Sequence, residues 1–219
     1  LLRRLLTHYT CLPRLFSLSI DTTSNFTLRE LSDIYQLIFA LPKLKSVACS
    51  TGIFNDSNSK LPLSIATNEQ FSGIKRLYIG QSSSLKEIFS IISDTPKLCH
   101  LKLSHASDDD EIDMKGGFQW FIKNILWKLK VLYINFEYED IKCFDANRWE
   151  QLFRQYLPQL KNIYLTYYER INYEHKILKN AGQLNQFFSS FWIERQTMVK
   201  IEIHDKYIKY VIRPHRYTS

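Results

Sequence analysis

Apolar positions along the chain fall into two alternating patterns. One has helical spacing, with large apolar residues at i, i+3, i+4 and i+7; the other is a short phrase whose aliphatics alternate with polar residues, as a half-buried strand requires. The strand phrase reads L-x-x-L-x-L. It recurs as Leu15/Leu18/Ile20, Leu44/Val47/Cys49, Ile74/Leu77/Ile79, Leu98/Leu101/Leu103, Leu129/Leu132/Ile134 and Leu160/Ile163/Leu165, with a weaker seventh copy at Met198/Ile201/Ile203. Copies stand roughly 24 to 38 residues apart, most of them near 30, a spacing that overlaps and slightly exceeds short solenoid repeats. Helical motifs precede most copies: Leu31/Ile34/Tyr35/Ile38, Leu85/Ile88/Phe89/Ile92, Phe118/Phe121/Ile122/Ile125, Trp149/Leu152/Phe153/Tyr156 and Leu184/Phe187/Phe188/Phe191. Several strand phrases open on Pro, as in LPRL, LPKL, TPKL and LPQL.

A single helix–strand unit is too small to bury its own apolar stripe. Stacked units bury a shared core between a parallel sheet and a row of helices, and each unit leans on its neighbours. The pattern therefore predicts strands near 15–20, 44–49, 74–79, 98–103, 129–134, 160–165 and 199–204, with helices near 27–40, 85–93, 117–127, 147–156 and 183–195. Helices are wider than strands, so the stack bends into an arc, an α/β solenoid with its parallel sheet on the concave face and helices on the convex one. Two polar stretches interrupt it: Ser50–Gln70, read as a loop-like repeat, and Ser104–Asp113. The segment VKIEIHDKYIKYVIRP alternates on both sides of His204-Asp205-Lys206, which predicts a last strand turning into an antiparallel partner that caps the sheet edge. The reading is one domain over 1–219: the end of a preceding helix in 1–11, six or seven repeats in 12–203, and a cap and tail in 204–219.

These phrases, the L-P-x-L-K openings above all, resemble leucine-rich-repeat proteins, and more specifically the long-repeat α/β kind attached to F-box domains. The segment FFSSFWIERQ, residues 187–196, is similar to a late segment of such proteins. The resemblance covers Leu12 to about Ile203. It implies a substrate-recognition region of a ubiquitin-ligase receptor, with the ligase adaptor as a partner only if an F-box lies upstream; no F-box is legible in the chain itself. There is one departure. The family's Asn or Cys ladder positions hold Thr23, Gly52, Ser82, Ala106, Glu137 and Tyr168, so packing rather than a hydrogen-bonded ladder must hold the stack.

Composition narrows the function classes. The 219 residues include 45% hydrophobic and 23% charged, which describes an ordinary globular chain rather than a disordered one. The net charge of +7 is diffuse. Cys11, Cys49, Cys99 and Cys143 match neither a zinc spacing nor a disulfide framework, and Cys49 occupies a core position, which suits a reducing compartment, cytoplasmic or nuclear. No run has the length of a membrane-spanning helix, and no membrane partner is expected.

Catalysis leaves residues at characteristic spacing, and G-x-S-x-G, H-E-x-x-H, G-x-G-x-x-G and G-x-x-x-x-G-K-[ST] are all missing. His105 beside Asp108, Asp109, Asp110, Glu111 and Asp113 invites a calcium reading, but Ile112 sits in the fifth place and no Gly follows. The expectation is a non-enzymatic protein without cofactor or metal.

What remains is the face between the aliphatics. One column runs Ser19, Ala48, Tyr78, Lys102, Tyr133, Tyr164, Glu202; its neighbours contain Arg76, His100, Lys200 and Asn135. Tyr and Arg are over-represented where interfaces carry their binding energy. The candidate partner-binding set is therefore Arg76, Tyr78, His100, Lys102, Tyr133, Asn135, Tyr164 and Lys200, facing a protein or peptide; the alternative is that strand Tyr is simply a good strand former. A nucleic-acid partner would use Arg76, Lys102, Lys200, Lys206, Lys209, Arg213 and Arg216 with interleaved Tyr. A scaffold without a ligand is the third reading.

Overall fold

The computed structural model describes residues 14–26, 28–41, 43–53, 73–80, 88, 92, 95–106, 122, 128–136, 145–171 and 184–215. The chain is α/β with mostly parallel strands, and it divides into two compact units, residues 1–105 and 106–219.

In the first unit, β1 (Ser17–Phe26), β2 (Ser46–Ile53), β3 (Arg76–Ile79) and β4 (His100–Ala106) lie side by side in sequence order, all parallel, with α1 (Leu28–Phe39) between β1 and β2 in the chain. The register equates Leu18, Val47, Leu77 and Leu101, and likewise Ile20, Cys49, Ile79 and Leu103. The copies aligned by hydrophobicity are thus the copies paired by hydrogen bonds. Leu101 is 0% exposed, and every aliphatic of the second to fourth copies is buried; Leu15 and Leu18 of the first are half-buried. α1 turns Ile34, Tyr35, Ile38 and Phe39 inward, a stripe at helical spacing.

The repeated L-P-x-L opening has a mechanical role. Leu44 N–H donates to the Leu41 carbonyl at 3.4 Å, Leu98 N–H to Thr95 at 2.9 Å, and Leu160 N–H to Leu157 at 3.0 Å. Each closes a tight turn ahead of a strand, and in the last two Pro96 and Pro158 pre-set the backbone angle that the second position needs. The residue before Pro is buried each time. Where that residue is Thr95, its hydroxyl donates to the Ile92 carbonyl at 2.8 Å, so the polar atom goes under satisfied. The strand starts repeat as well. The carbonyls of Phe16, Lys45 and Lys75 each accept two successive N–H groups of the following strand, and Lys130 does the same in the second unit.

In the second unit, β5 (Val131–Phe136) pairs in parallel with β6 (Asn162–Arg170), and α2 (Ala146–Tyr156) lies between them in the chain. Asp145 caps α2, its Oδ1 accepting from Arg148 N–H at 3.1 Å, and Leu157 before Pro158 ends it. Trp149, Leu152 and Phe153 are buried; the Phe153 ring meets Trp149 on its own helix and Phe191 and Trp192 from the next segment, and Phe187 packs on Trp192. The helix expected over 183–195 is two pieces, a 3₁₀ turn at Leu184–Phe188 and the short α3 at Ser190–Glu194. Ser189 separates them in extended conformation, with its hydroxyl on Glu150 Oε2. A serine held that way cannot also continue a helix.

The C-terminal hairpin is the larger correction. β7 (Thr197–Ile203) and β8 (Tyr207–Pro214) are antiparallel as expected, but β8 occupies the place beside β6, so the order is β5-β6-β8-β7. The seventh phrase therefore does not continue the stack. Ile201 is 45% exposed and Ile203 73% exposed, while Ile208, Tyr210 and Ile212 of β8 fill the buried positions instead. β8 wins that slot through its larger side chains and because Tyr210 can donate its hydroxyl to Glu169 on β6 at 2.7 Å.

β1 reaches Phe26 and β2 reaches Ile53, beyond the expected ends, so the stretch expected to start a loop at Ser50 starts as strand. The remainder of Ser50–Gln70, Asp108–Asp113, and most of the helices expected at 85–93 and 117–127 lie outside the described residues. Ile88, Ile92 and Ile122 from those two helices are helical and buried.

Candidate functional site: a polar, aromatic sheet face

In both units the side chains between the buried aliphatics share the opposite sheet face, because strand side chains alternate. On the first unit the register aligns Ser19, Ala48, Tyr78 and Lys102, and beside them Ser17, Ser46, Arg76 and His100. Lys102 Nζ sits 4.5 Å from the centre of the Tyr78 ring, a cation held over a π face. Gly80 gives that ring its room: a Cβ there would lie 2.8 Å from the Tyr78 hydroxyl and 3.0 Å from Ser50 Oγ. Arg76 and Lys102 are exposed; Tyr78 and His100 are half-buried, with His100 Nδ1 3.1 Å from Cys99 Sγ.

On the second unit Tyr133 and Tyr164 are register partners and stack with ring centres 3.9 Å apart and 8° between planes. Asn135 is paired with Thr166 one step along, and its Oδ1 is buried without a hydrogen-bond partner among the described residues. The hairpin extends the same face. Thr166 faces Val211, which faces Lys200, and Tyr168 faces Lys209, which faces Glu202. So Lys200 does join the face of Tyr133 and Tyr164, although through β8 rather than as a direct neighbour of β6.

Tyr168, Tyr207 and Lys209 are members of this surface that the repeat pattern did not single out as protein-binding. Tyr168 meets Tyr207 edge-on at 5.4 Å, His204 lies 4.4 Å from Tyr207, and Lys209 Nζ is 5.9 Å from the Tyr168 ring centre. The signal was the alternation Tyr207, Lys209, Val211, Arg213, which becomes readable once β8 is known to pair with β6. Glu202 takes Lys200 at 2.8 Å and Lys209 at 3.1 Å. Those two hydrogen bonds hold its carboxyl down to about 2, and the same contact raises Lys209.

The face offers stacked rings, cations and an amide. Among the described residues no three His, Cys, Asp or Glu side chains gather as metal ligands, and no helix is long and apolar enough to cross a membrane. Cys49, behind the face, is buried, and burial pushes its thiol up to about 11 against a smaller opposing hydrogen bond from Tyr35. No protein-family model matches the chain, and no curated protein matches it at a significant level.

Proposed function

We propose that this chain is a non-enzymatic recognition module of the leucine-rich-repeat type, binding an extended protein segment through the polar, aromatic face of its strands. The observation that carries the reading is the stacked Tyr133–Tyr164 pair, set by strand register into a surface bordered by Asn135, Lys200 and Lys209. Rigid rings supply contact area at small entropic cost, and cations fix the register of a partly acidic ligand. Arg76, Tyr78, His100 and Lys102 give the first unit a patch of the same chemistry. Placement within an F-box-type ubiquitin-ligase receptor, intracellular by its cysteine usage, rests on the sequence resemblance of the L-P-x-L phrases.

The test compares proteins captured by the wild type with those captured by Tyr133→Ala/Tyr164→Ala and by Tyr78→Ala/Lys102→Ala, all checked for matching thermal melts. Each truncated hot-spot ring is expected to cost roughly 1–3 kcal/mol of binding, which removes specific partners from the list. Unchanged lists for both variants refute the reading. Captured nucleic acid, released steeply by salt, transfers the face to the other partner class.

A further inference from the structure

The outer edge of β7 is complementary to itself, and we propose that two copies of the chain associate through it in an antiparallel, two-fold strand pair centred on Ile201. Among the described residues nothing pairs with that edge, since β7 ends the order β5-β6-β8-β7. Two hydrogen bonds fix which backbone groups face outward. His204 N–H donates to the Tyr207 carbonyl at 2.9 Å, and His215 N–H to the Gln196 carbonyl at 2.6 Å. In an antiparallel ladder the bonded residues alternate, so Met198, Lys200 and Glu202 also turn their backbones toward β8. The N–H and C=O groups of Val199, Ile201 and Ile203 are left projecting from the edge.

Side chains follow the same alternation. Val199, Ile201 and Ile203 share the apolar face with Ile212, Tyr210 and Ile208, yet Ile201 and Ile203 are 45% and 73% exposed. A second strand alongside would cover them. With a two-fold axis through Ile201, Ile201 meets its own copy in a bonded pair and Val199 meets Ile203 of the second copy. On the opposite face Lys200 meets Glu202 of the second copy, twice by symmetry, in the pair type where side chains approach most closely.

Charge singles out this register. An axis at Lys200 sets two ammonium groups against each other, and an axis at Glu202 sets two carboxylates. In the monomer Lys200 reaches along its own strand to Glu202 at 2.8 Å. Across the axis the residue opposite is nearer, about 4.5 Å between Cα atoms against the nearly 7 Å that separates alternate residues of a strand. Lys209 continues to hold Glu202 from β8. Edge strands avoid association by presenting Pro or charges that meet no opposite charge; TMVKIEI has no Pro, and its Lys200 and Glu202 are spaced so that each meets the opposite charge of the second copy in this register.

Sedimentation equilibrium over a range of protein concentrations tests this with Lys200→Glu, Glu202→Lys and their mixture. The wild type is expected to dimerise reversibly. Each single variant, still folded by its thermal melt, should dimerise at least about tenfold more weakly, because two like-charge pairs now face each other. The equimolar mixture should regain the dimer as a heterodimer with both ion pairs restored. Ile203→Lys, at a side chain already exposed, should abolish the dimer without moving the melt, which keeps the question open to test if a charge variant fails to fold. A wild type that is monomeric throughout, single variants as dimeric as the wild type, a mixture no more dimeric than its components, or an Ile203→Lys protein that still dimerises would each overturn the proposal.

Discussion

Replacing Phe153 by Ala separates the inside of this structure from its outside. Phe153 is 0% exposed, on the face of α2 that meets the 3₁₀ turn and α3. Its ring centre lies 5.1 Å from Trp149, 6.4 Å from Phe191 and 6.3 Å from Trp192. Truncation of a buried Phe costs about 3–5 kcal/mol, part of it lost transfer energy and part the cavity that remains. The upper half of that range applies, because the surrounding rings are bulky and already packed on one another. Phe191 in particular is fixed by Arg195 at 3.8 Å and Arg154 at 4.9 Å from its centre, and does not slide freely into the space. At roughly 2–4 °C per kcal/mol for a chain of this size, the melting midpoint should fall by on the order of 10 °C. The control is Tyr133→Ala, which loses mainly a ring stack worth about 0.5–1.5 kcal/mol on a solvent-facing surface. Denaturant unfolding followed by Trp fluorescence reads both variants. Equal losses would mean that the buried and open faces have been exchanged, and the recognition surface would fall with them.

Three further outcomes are expected. Glu202 should titrate near pH 2 by carboxyl NMR and return toward the ordinary carboxylate range in Lys200→Ala/Lys209→Ala; since its folded pKa is depressed, its contribution to stability is present above the unfolded value of about 4.3 and is lost as pH falls toward 2. A variant retaining only Cys49 should react with a thiol reagent at neutral pH no faster than it unfolds, because the thiol is buried and its pKa stands at about 11; rapid labelling in the native state would contradict the packing of β2. Gly80→Ala should change stability by less than about 1 kcal/mol, the clash being with the far end of a flexible ring, yet displace Tyr78 from Lys102 and shift its ring resonances.

The parallel part of the fold was legible because the copies carry constraints that agree: the Pro turn in the LPRL, LPKL, TPKL and LPQL copies, and the aliphatic positions and their alternation in all of them. The Pro turn, the buried aliphatic and the alternation that follows all specify one register, and the pairing of Val47 with Leu77 and of Leu77 with Leu101 is that register. Tyr78 and Lys102 in the first unit, and Tyr133 and Tyr164 in the second, each inherit their place on the open face of their own strands from it. The hairpin was not legible to the same depth. Val199/Ile201/Ile203 and Ile208/Tyr210/Ile212 alternate equally well, so periodicity alone does not decide which strand lies beside β6. The choice is made by contacts across strands, such as Tyr210 with Glu169 and Tyr167 with Tyr210 at 6.1 Å. The break at Ser189 has a similar origin, in a hydrogen bond to Glu150, a residue 39 positions earlier.

The recognition claim is tested most directly by placing a photocrosslinking benzoylphenylalanine at position 164 and, separately, at exposed Gln151 on α2. Irradiation in native lysate should give discrete protein adducts from position 164 that disappear when Tyr133→Ala is added, and none from position 151. Adducts from position 151 alone, or adducts from 164 indifferent to Tyr133→Ala, would contradict a recognition surface on this face of the strands.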